Sequence, residues 1–375
     1  MPNKGGFAHY MLKEIHEEPE ALRATVEPRI APSRDRIVLP DVEISPAQFR
    51  ALQRIKIVAS GTSRHAGLAG KYMIEGLAEL PVDVDHSSEF AYRRPLLERN
   101  ELVIAITQSG ETADTLAALR EVKARGALSA AICNVVESTI AREADAALYT
   151  YAGPEISIAS TKAFVAQLAV LYLLALYLAQ VCEKVTSTFV RQSIAELLAL
   201  PEKIVAALDG ETQIAAIADR FHTASDFLFL GRGVHYPVVL DGALKLKEVS
   251  YIHAEGYPAG EVKHGPQALI DETLPVVILA TRDPNDADSV LRYEKTLANL
   301  KDIKKRSGQV IAIANNGDDE IRRATEHAIF VPDAPDLLLP MIEIVPLQLL
   351  AYYIAVRRGL DVDRPRNLSK AVLQE

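Results

Sequence analysis

Leu102-Val-Ile-Ala-Ile-Thr-Gln-Ser-Gly-Glu-Thr-Ala-Asp-Thr115 is the stretch whose reading decides the fold. Leu102 to Ile106 is a short continuous apolar run, the pattern of a strand covered on both faces, and from Thr115 the chain takes up helical spacing. Between them stand Thr107, Gln108, Ser109, Gly110 and Thr112. The first turn of a helix carries unpaired N–H groups and the positive end of the dipole, so an anion is stabilised there, and hydroxyls and Gln add neutral donors. The turn holds no Lys or Arg. A phosphate in it would rest on several charge-assisted hydrogen bonds, each worth roughly 1.5–3 kcal/mol. The same residue types are also the commonest helix caps, and taken alone they favour that plainer reading. The Gly-Lys-Ser/Thr ending of a nucleoside-triphosphate loop is missing.

Outward from this unit the strand and helix pattern repeats. Ile55-Lys-Ile-Val-Ala59 precedes it, and Ser129-Ala-Ala-Ile-Cys133 and Ala146-Ala-Leu-Tyr149 follow. The alternation implies a parallel sheet with helices on both faces. Phe227-Leu-Phe-Leu230, Pro275-Val-Val-Ile-Leu279, Val310-Ile-Ala-Ile-Ala314 and Ala328-Ile-Phe-Val331 then recur in the same order at similar spacings. Two equivalent α/β domains follow, each a doubly wound, flavodoxin-like parallel sheet. Gly61 and Gly231 each end a first strand, and Asn134 and Asn315 each end a third. The expected boundaries are a wrapping segment over 1–50 with a helix near His9 to Thr25, domains over 51–195 and 196–360, and a tail over 361–375. Val190 to Leu208, broken at Pro201, is read as the bridge.

Ligands of such sheets bind beyond the carboxyl ends of strands, which makes Ser60-Gly-Thr-Ser63 and Thr107 to Thr112 neighbours. Gly231-Arg-Gly233 lacks the third glycine and the acidic partner of a dinucleotide loop.

The composition is that of an ordinary globular chain: 375 residues, 49% hydrophobic, 24% charged. A net charge of −9 argues against a nucleic-acid binder, and the basic run Lys301 to Arg306 reads as a solvated last helical turn. Cys133 and Cys182 stand in no metal or redox spacing and read as reduced, buried thiols of a cytoplasmic protein. The amino end has no apolar core of a signal peptide. Ala163 to Ala179, 17 residues interrupted by Gln167, falls short of the ~20 that span a bilayer and reads as a buried helix. In Leu337 to Val356, Pro340, Glu343 and Pro346 break the apolar run.

Ionisable groups concentrate in residues 241–264. Lys245 and Glu248, three apart, share a helix face, which fits either a surface ion pair, favoured by spacing alone, or a carboxylate base with an ammonium beside it. His264 lies in a loop able to carry an imidazole to a ligand, and spacing leaves its role open. Ser160 and Thr161 cap the long apolar helix by default or face the same ligand. The nine histidines show no metal-ligand spacing, and no nucleophile triad is evident, so a reaction without metal or cofactor is expected.

Taken together these stretches resemble one family, the isomerase part of glucosamine-6-phosphate synthase (glutamine:fructose-6-phosphate amidotransferase), built of two sugar-isomerase (SIS) domains. The resemblance spans nearly the whole chain: His9-Tyr-Met-Leu-Lys-Glu-Ile15, Ser60-Gly-Thr-Ser63, Gln108-Ser-Gly-Glu-Thr-Ala-Asp-Thr115, Ala131-Ile-Cys-Asn-Val-Val136, Ala159-Ser-Thr-Lys-Ala-Phe164, Leu244-Lys-Leu-Lys-Glu248, Gly260-Glu-Val-Lys-His-Gly-Pro266 and Asp361-Val-Asp-Arg-Pro-Arg-Asn-Leu-Ser-Lys370. It implies that Thr107, Gln108, Ser109 and Thr112 hold the phosphate of fructose 6-phosphate, with Ser63 and Ser160 on the sugar. It implies Glu248 as the base between C2 and C1, Lys245 as its charged neighbour, and His264, supplied by the partner subunit of a homodimer, as the ring opener. Lys370 resembles the tail lysine credited with an imine to the sugar carbonyl. Thr107 stands where Ser is expected and Ser60 where Cys is common, and both keep the chemistry.

The family enzyme carries an amino-terminal glutaminase domain with a catalytic Cys, whereas this chain begins Met1-Pro2 and reads as an excised fragment or a free-standing isomerase domain. Three functions are expected in order: conversion of fructose 6-phosphate to the aldose phosphate, or to glucosamine 6-phosphate when a glutaminase domain supplies ammonia; a free-standing glucosamine-6-phosphate deaminase or other phosphosugar isomerase; and a non-catalytic phosphosugar sensor. Nucleic acid and membrane are not expected partners.

Overall fold

The computed structural model describes residues 3–370. Met1 and Pro2, on which the reading of the chain start rests, and residues 371–375 of the expected tail lie outside the described residues. The described chain forms two compact units, the first made of 20–155, 162–199 and 369–370, the second of 3–19, 156–161 and 200–368.

The first unit is built on five strands, β1 (Arg54–Ala59), β2 (Val82–His86), β3 (Glu101–Ile106), β4 (Leu128–Cys133) and β5 (Ala146–Tyr149). They pair in the order β2-β1-β3-β4-β5, all parallel. The expected run Leu102 to Ile106 lies in β3, the central strand, and each of its six residues is buried. Helices Gly61–Ala78 and Ala113–Ala124 follow β1 and β3. The chain leaves β1 toward β2 on one side and enters β3 on the other, so these two helices start at a topological switch point. Val58, Val103, Ala105, Leu119, Val122 and Ala131 form a core under the second of them.

Helix Lys162–Val181 packs on helix Gly61–Ala78, and the approach is so close that a Cβ on Gly70 would lie 2.9 Å from Leu171 Cδ2. At 20 residues it is longer than the 17-residue apolar run, and its length and composition suffice to cross a membrane; 83% of its most apolar window is buried inside the protein.

The second unit repeats the plan with β6 (Asp226–Gly231), β7 (His253–Pro258), β8 (Pro275–Ala280), β9 (Gln309–Asn315) and β10 (His327–Val331). Read from the other edge its order is β7-β6-β8-β9-β10, again parallel and the same as the first sheet. Four strands of each sheet match the apolar runs, while β2 and β7 were not anticipated. Both lie at sheet edges, and Val-Asp-Val-Asp-His and His-Ala-Glu-Gly-Tyr-Pro bury one residue apiece fully, so neither offers an apolar run.

Several breaks expected from sequence are absent. Helix Pro340–Arg357 is continuous: Pro340 occupies the first turn, where its fixed φ is suited, Pro346 lies inside, and Glu343 is fully buried but paired. Pro201 likewise lies within helix Ser187–Leu208. The expected helix near His9 to Thr25 is two, Tyr10–His16 and Glu18–Val26. The carboxylate of Asp363 accepts the Tyr10 and Met11 N–H groups at 3.0 and 2.9 Å, so the amino-terminal helix is capped by the far end of the chain. Cys133 is buried as expected, whereas Cys182 is only half-buried.

Candidate functional site

In the first unit Ala59 pairs with Ile106 and Ile106 with Ile132, so the turns after β1, β3 and β4 are adjacent. The turn after β3 is pinned to β4 and the turn beyond it: Thr107 N–H donates to the Ile132 carbonyl at 3.0 Å, and the Gln108 carbonyl accepts from Asn134 N–H at 3.0 Å. Gly110 has φ +73 and lies so close to the next turn that a Cβ on it would stand 2.1 Å from Ser138 Oγ. The Glu111 carboxylate accepts from Thr139 N–H at 2.8 Å, and this bond holds its carboxyl below the usual range.

The plainer reading of these hydroxyls fails. Thr112 is the N-cap residue of helix Ala113–Ala124, but its side chain caps nothing and instead meets Thr107 Oγ1 at 2.9 Å. Ser60 likewise precedes helix Gly61–Ala78 without capping it, its hydroxyl lying 2.6 Å from Ser87 Oγ. Two helices therefore start side by side with no side-chain cap on their first N–H groups.

The remaining hydroxyls are oriented by protein donors. Ser109 Oγ accepts from Glu111 N–H at 3.2 Å, and buried Ser63 Oγ accepts from Gln167 Nε2 at 3.0 Å. An oxygen that accepts in this way keeps its own O–H for an outside acceptor, which is the state an anion or a sugar oxygen needs. In sequence Gln167 is only a polar interruption of an apolar run. Its position facing helix Gly61–Ala78 was the missing signal.

Lys370 is also placed in this unit, with Nζ 2.5 Å from Glu155 Oε2. Glu155 Oε1 accepts from Ala163 N–H at 3.1 Å, so a carboxylate outside the expected set binds the first turn of the long helix. Ser160, half-buried, belongs to segment 156–161 of the second unit.

The second unit treats its own switch point differently. Helix Ala287–Lys304, which follows β8, is capped by the Asp286 carboxylate, which accepts from Asp288 and Ser289 N–H groups. Nearby, His235 Nδ1 lies 2.8 and 3.0 Å from the two oxygens of Glu343, Thr281 donates to Glu343, and Ser289 and Arg292 donate to Asp336. The helix start left uncapped in the first unit is met here by a carboxylate of the chain itself.

Burial opposes a charge on His235, yet the Glu343 carboxylate prevails and holds the imidazole above its ordinary value. The linked stability is fully present below about pH 6.5 and is lost as pH rises through the raised folded-state value. We expect the thermal midpoint of the wild type to fall as pH is raised above neutrality, and His235→Gln to flatten that fall. Equal slopes for the two proteins would show that His235 stays neutral.

Lys245 and Glu248 do not form a surface pair. Lys245 is fully buried in helix His235–Ser250, with Nζ 2.5 Å from Glu248 Oε2, and Glu248 keeps 22% of its side chain exposed. A buried ammonium is tolerated only with partners, and Lys245 makes further contacts. The outcome is a carboxylate held from behind by a positive charge and open to solvent on its other side. His264 ends the short helix Glu261–His264 with its imidazole exposed. Burial pushes the Cys133 thiol up to about 11, which makes it a poor nucleophile. Among the described residues no cluster of three or more His, Cys, Asp or Glu is arranged to hold a metal.

Comparisons with known proteins place this arrangement. A model of the SIS domain matches residues 48–177 and again 221–358. Over 372 residues, 99% of the chain, the sequence is 49% identical to a glutamine--fructose-6-phosphate aminotransferase [isomerizing] of Chlorobaculum tepidum, of which the chain spans 59%. The C-terminal domain of glucosamine-fructose-6-phosphate aminotransferase from Francisella tularensis superposes with a TM-score of 0.90 at 40% identity, covering 97% of this chain and 100% of that one. A glucosamine-6-phosphate deaminase from Thermotoga maritima aligns with a TM-score of 0.71 over 97% of this chain and 99% of its own, but at 22% identity it shares the fold alone.

Proposed function

The chain belongs to the SIS domain family, in the group that includes the C-terminal domain of glucosamine-fructose-6-phosphate aminotransferase, and from that premise we propose that it is the isomerase part of such an aminotransferase. It converts fructose 6-phosphate to the aldose phosphate, and to glucosamine 6-phosphate when ammonia is supplied. The observation that carries the reading is the fully buried Lys245 behind the partly exposed Glu248 carboxylate, since phosphosugar binding by itself calls for no such pair. Thr107, Gln108, Ser109 and Thr112 receive the phosphate, with the uncapped helix start beneath it, and Ser63 and Ser160 bind the sugar. Glu248 takes the proton from one carbon of the open-chain sugar and returns it to the next, while Lys245 stabilises charge on the enediol oxygen. His264 opens the ring, and Lys370 forms an imine with the carbonyl.

The phosphate assignment is tested by calorimetry with fructose 6-phosphate. Ser109→Ala or Thr112→Ala deletes one hydroxyl donor and weakens binding roughly 10- to 100-fold, the worth of one charge-assisted bond. Unchanged affinity in both variants would place the phosphate elsewhere.

The functional unit in this reading is a cytoplasmic homodimer in which His264 of one chain serves the site of its partner; the exposed imidazole is what supports it. Mixing inactive His264→Ala and Glu248→Gln proteins then restores part of the activity, because one site of each mixed dimer is intact. No rescue after proven subunit exchange would mean that each site uses its own histidine. Nitrogen comes from a glutaminase domain or free ammonia; the buried Cys133, its thiol pushed up to about 11, is no candidate for releasing it from glutamine.

A further inference from the structure

We propose that Glu155 is the positioning residue and first proton acceptor for Lys370, an inference that rests on the ketose-phosphate reading above. The Glu155 side chain is fully buried, whereas that of Lys370 is 25% exposed. One Glu155 oxygen is fixed by Ala163 N–H at 3.1 Å, at the start of the 20-residue helix Lys162–Val181, whose positive end stabilises the anion. The other oxygen lies 2.5 Å from Lys370 Nζ. A lysine has four rotatable side-chain bonds, so a carboxylate anchored to a helix decides where its nitrogen waits.

An ammonium is no nucleophile, and Lys370 must lose a proton before it can attack a carbonyl. Glu155 lies within hydrogen-bond reach to take it, leaving a neutral amine and a carboxylic acid. The amine lone pair then bonds to C2 of the open-chain ketose, a proton passes from nitrogen to the former carbonyl oxygen, and a carbinolamine results. Glu155 returns its proton to that hydroxyl, which departs as water. The products are an iminium on Lys370, one water and a regenerated carboxylate, so the step needs no other reagent.

The test is borohydride trapping of the purified chain at saturating fructose 6-phosphate, with the adduct mapped by peptide mass spectrometry. Glu155→Gln can still accept from Ala163 N–H and so keeps the helix start. We expect it to slow trapping at Lys370 roughly 100-fold, the low end of what a positioned base contributes, while calorimetric affinity for the sugar phosphate stays within about twofold. Glu155→Asp, a shorter carboxylate, recovers about a tenth of the wild-type rate. A purely structural role would predict equal losses in both variants together with lost affinity, and that pattern overturns the proposal. So does Glu155→Gln trapping at the wild-type rate. Wild-type protein that isomerises the sugar without a Lys370 adduct overturns this inference and leaves the isomerase reading standing. Wild-type protein that neither binds nor isomerises the sugar overturns that reading and takes this inference with it.

Discussion

Glu248→Gln is expected to lower the interconversion of fructose 6-phosphate and glucose 6-phosphate by roughly 100- to 10,000-fold, the usual worth of a positioned general base. Glutamine has the size of glutamate, and its amide oxygen still accepts from Lys245 Nζ, so the geometry around the buried ammonium is retained. What is lost is a group able to take a proton from carbon. Calorimetric affinity for fructose 6-phosphate is expected to change less than about threefold, since the proposed phosphate donors belong to residues 107–112. Exchange of solvent deuterium into the sugar at C1 and C2 reports the proton transfer directly and falls with turnover. The expected split is between kcat and binding. Loss of both would point to a general loosening around Lys245, which a thermal melt detects. Retained exchange would remove Glu248 from the proton path and, with it, the main ground for preferring an isomerase to a sensor.

Gly110→Ala is expected to weaken sugar-phosphate binding roughly 30- to 5,000-fold without touching a group that contacts ligand through its side chain. The position has φ +73, and a methyl group there would stand 2.1 Å from Ser138 Oγ and 2.4 Å from Ser138 Cβ. The left-handed backbone costs about 1–2 kcal/mol for a residue with a Cβ, and forcing extra volume into a packed turn about 1–3 kcal/mol more. A loss of 2–5 kcal/mol corresponds to roughly 30- to 5,000-fold in affinity if the turn yields by moving away from its ligand-holding shape. The two clashing atoms belong to one side chain, so Gly110→Ala combined with Ser138→Gly removes the collision and leaves the backbone strain and a tight 3.3 Å contact with Ile140 Cγ2. The double variant is expected to recover more than about tenfold of the lost affinity. If the single variant binds as the wild type does, the turn is not the phosphate holder.

Much of this molecule is legible in one dimension. Apolar runs such as Leu102 to Ile106 and Val310 to Ala314 are buried on both faces, and such burial leaves a continuous signal in the sequence. Their recurrence in the same order made the tandem repeat readable, and the parallel pairing followed from the intervening helices. The edge strands Val82–His86 and His253–Pro258 escaped because their burial is partial and their residues are mostly polar. Proline is tolerated at all three places: Pro340 stands in a first turn, where no N–H partner is lost, and Pro201 and Pro346 lie inside helices that packing holds together.

At the site, sequence alone determined which residue types stand at which strand ends, and therefore that Thr107 to Thr112, Ser63, Lys245 and Glu248 deserved a chemical reading. It did not determine what those groups do there, because capping and ligand binding use the same hydroxyls, and a surface ion pair has the same spacing as a buried one. Tertiary structure decided whether Thr112 caps its helix and whether the Lys245 pair is buried. Thr112 is turned to Thr107 and leaves the helix start open, Gln167 from a distant helix orients Ser63, and burial of Lys245 converts a spacing into an electrostatic environment. Glu155 next to Lys370 and Asp363 at the first helix join positions 215 and 352 residues apart at the extremes. The reason is physical: a residue's period along the chain follows from the local backbone, whereas hydrogen-bond direction, burial and charge pairing depend on groups that only folding brings within a few ångströms.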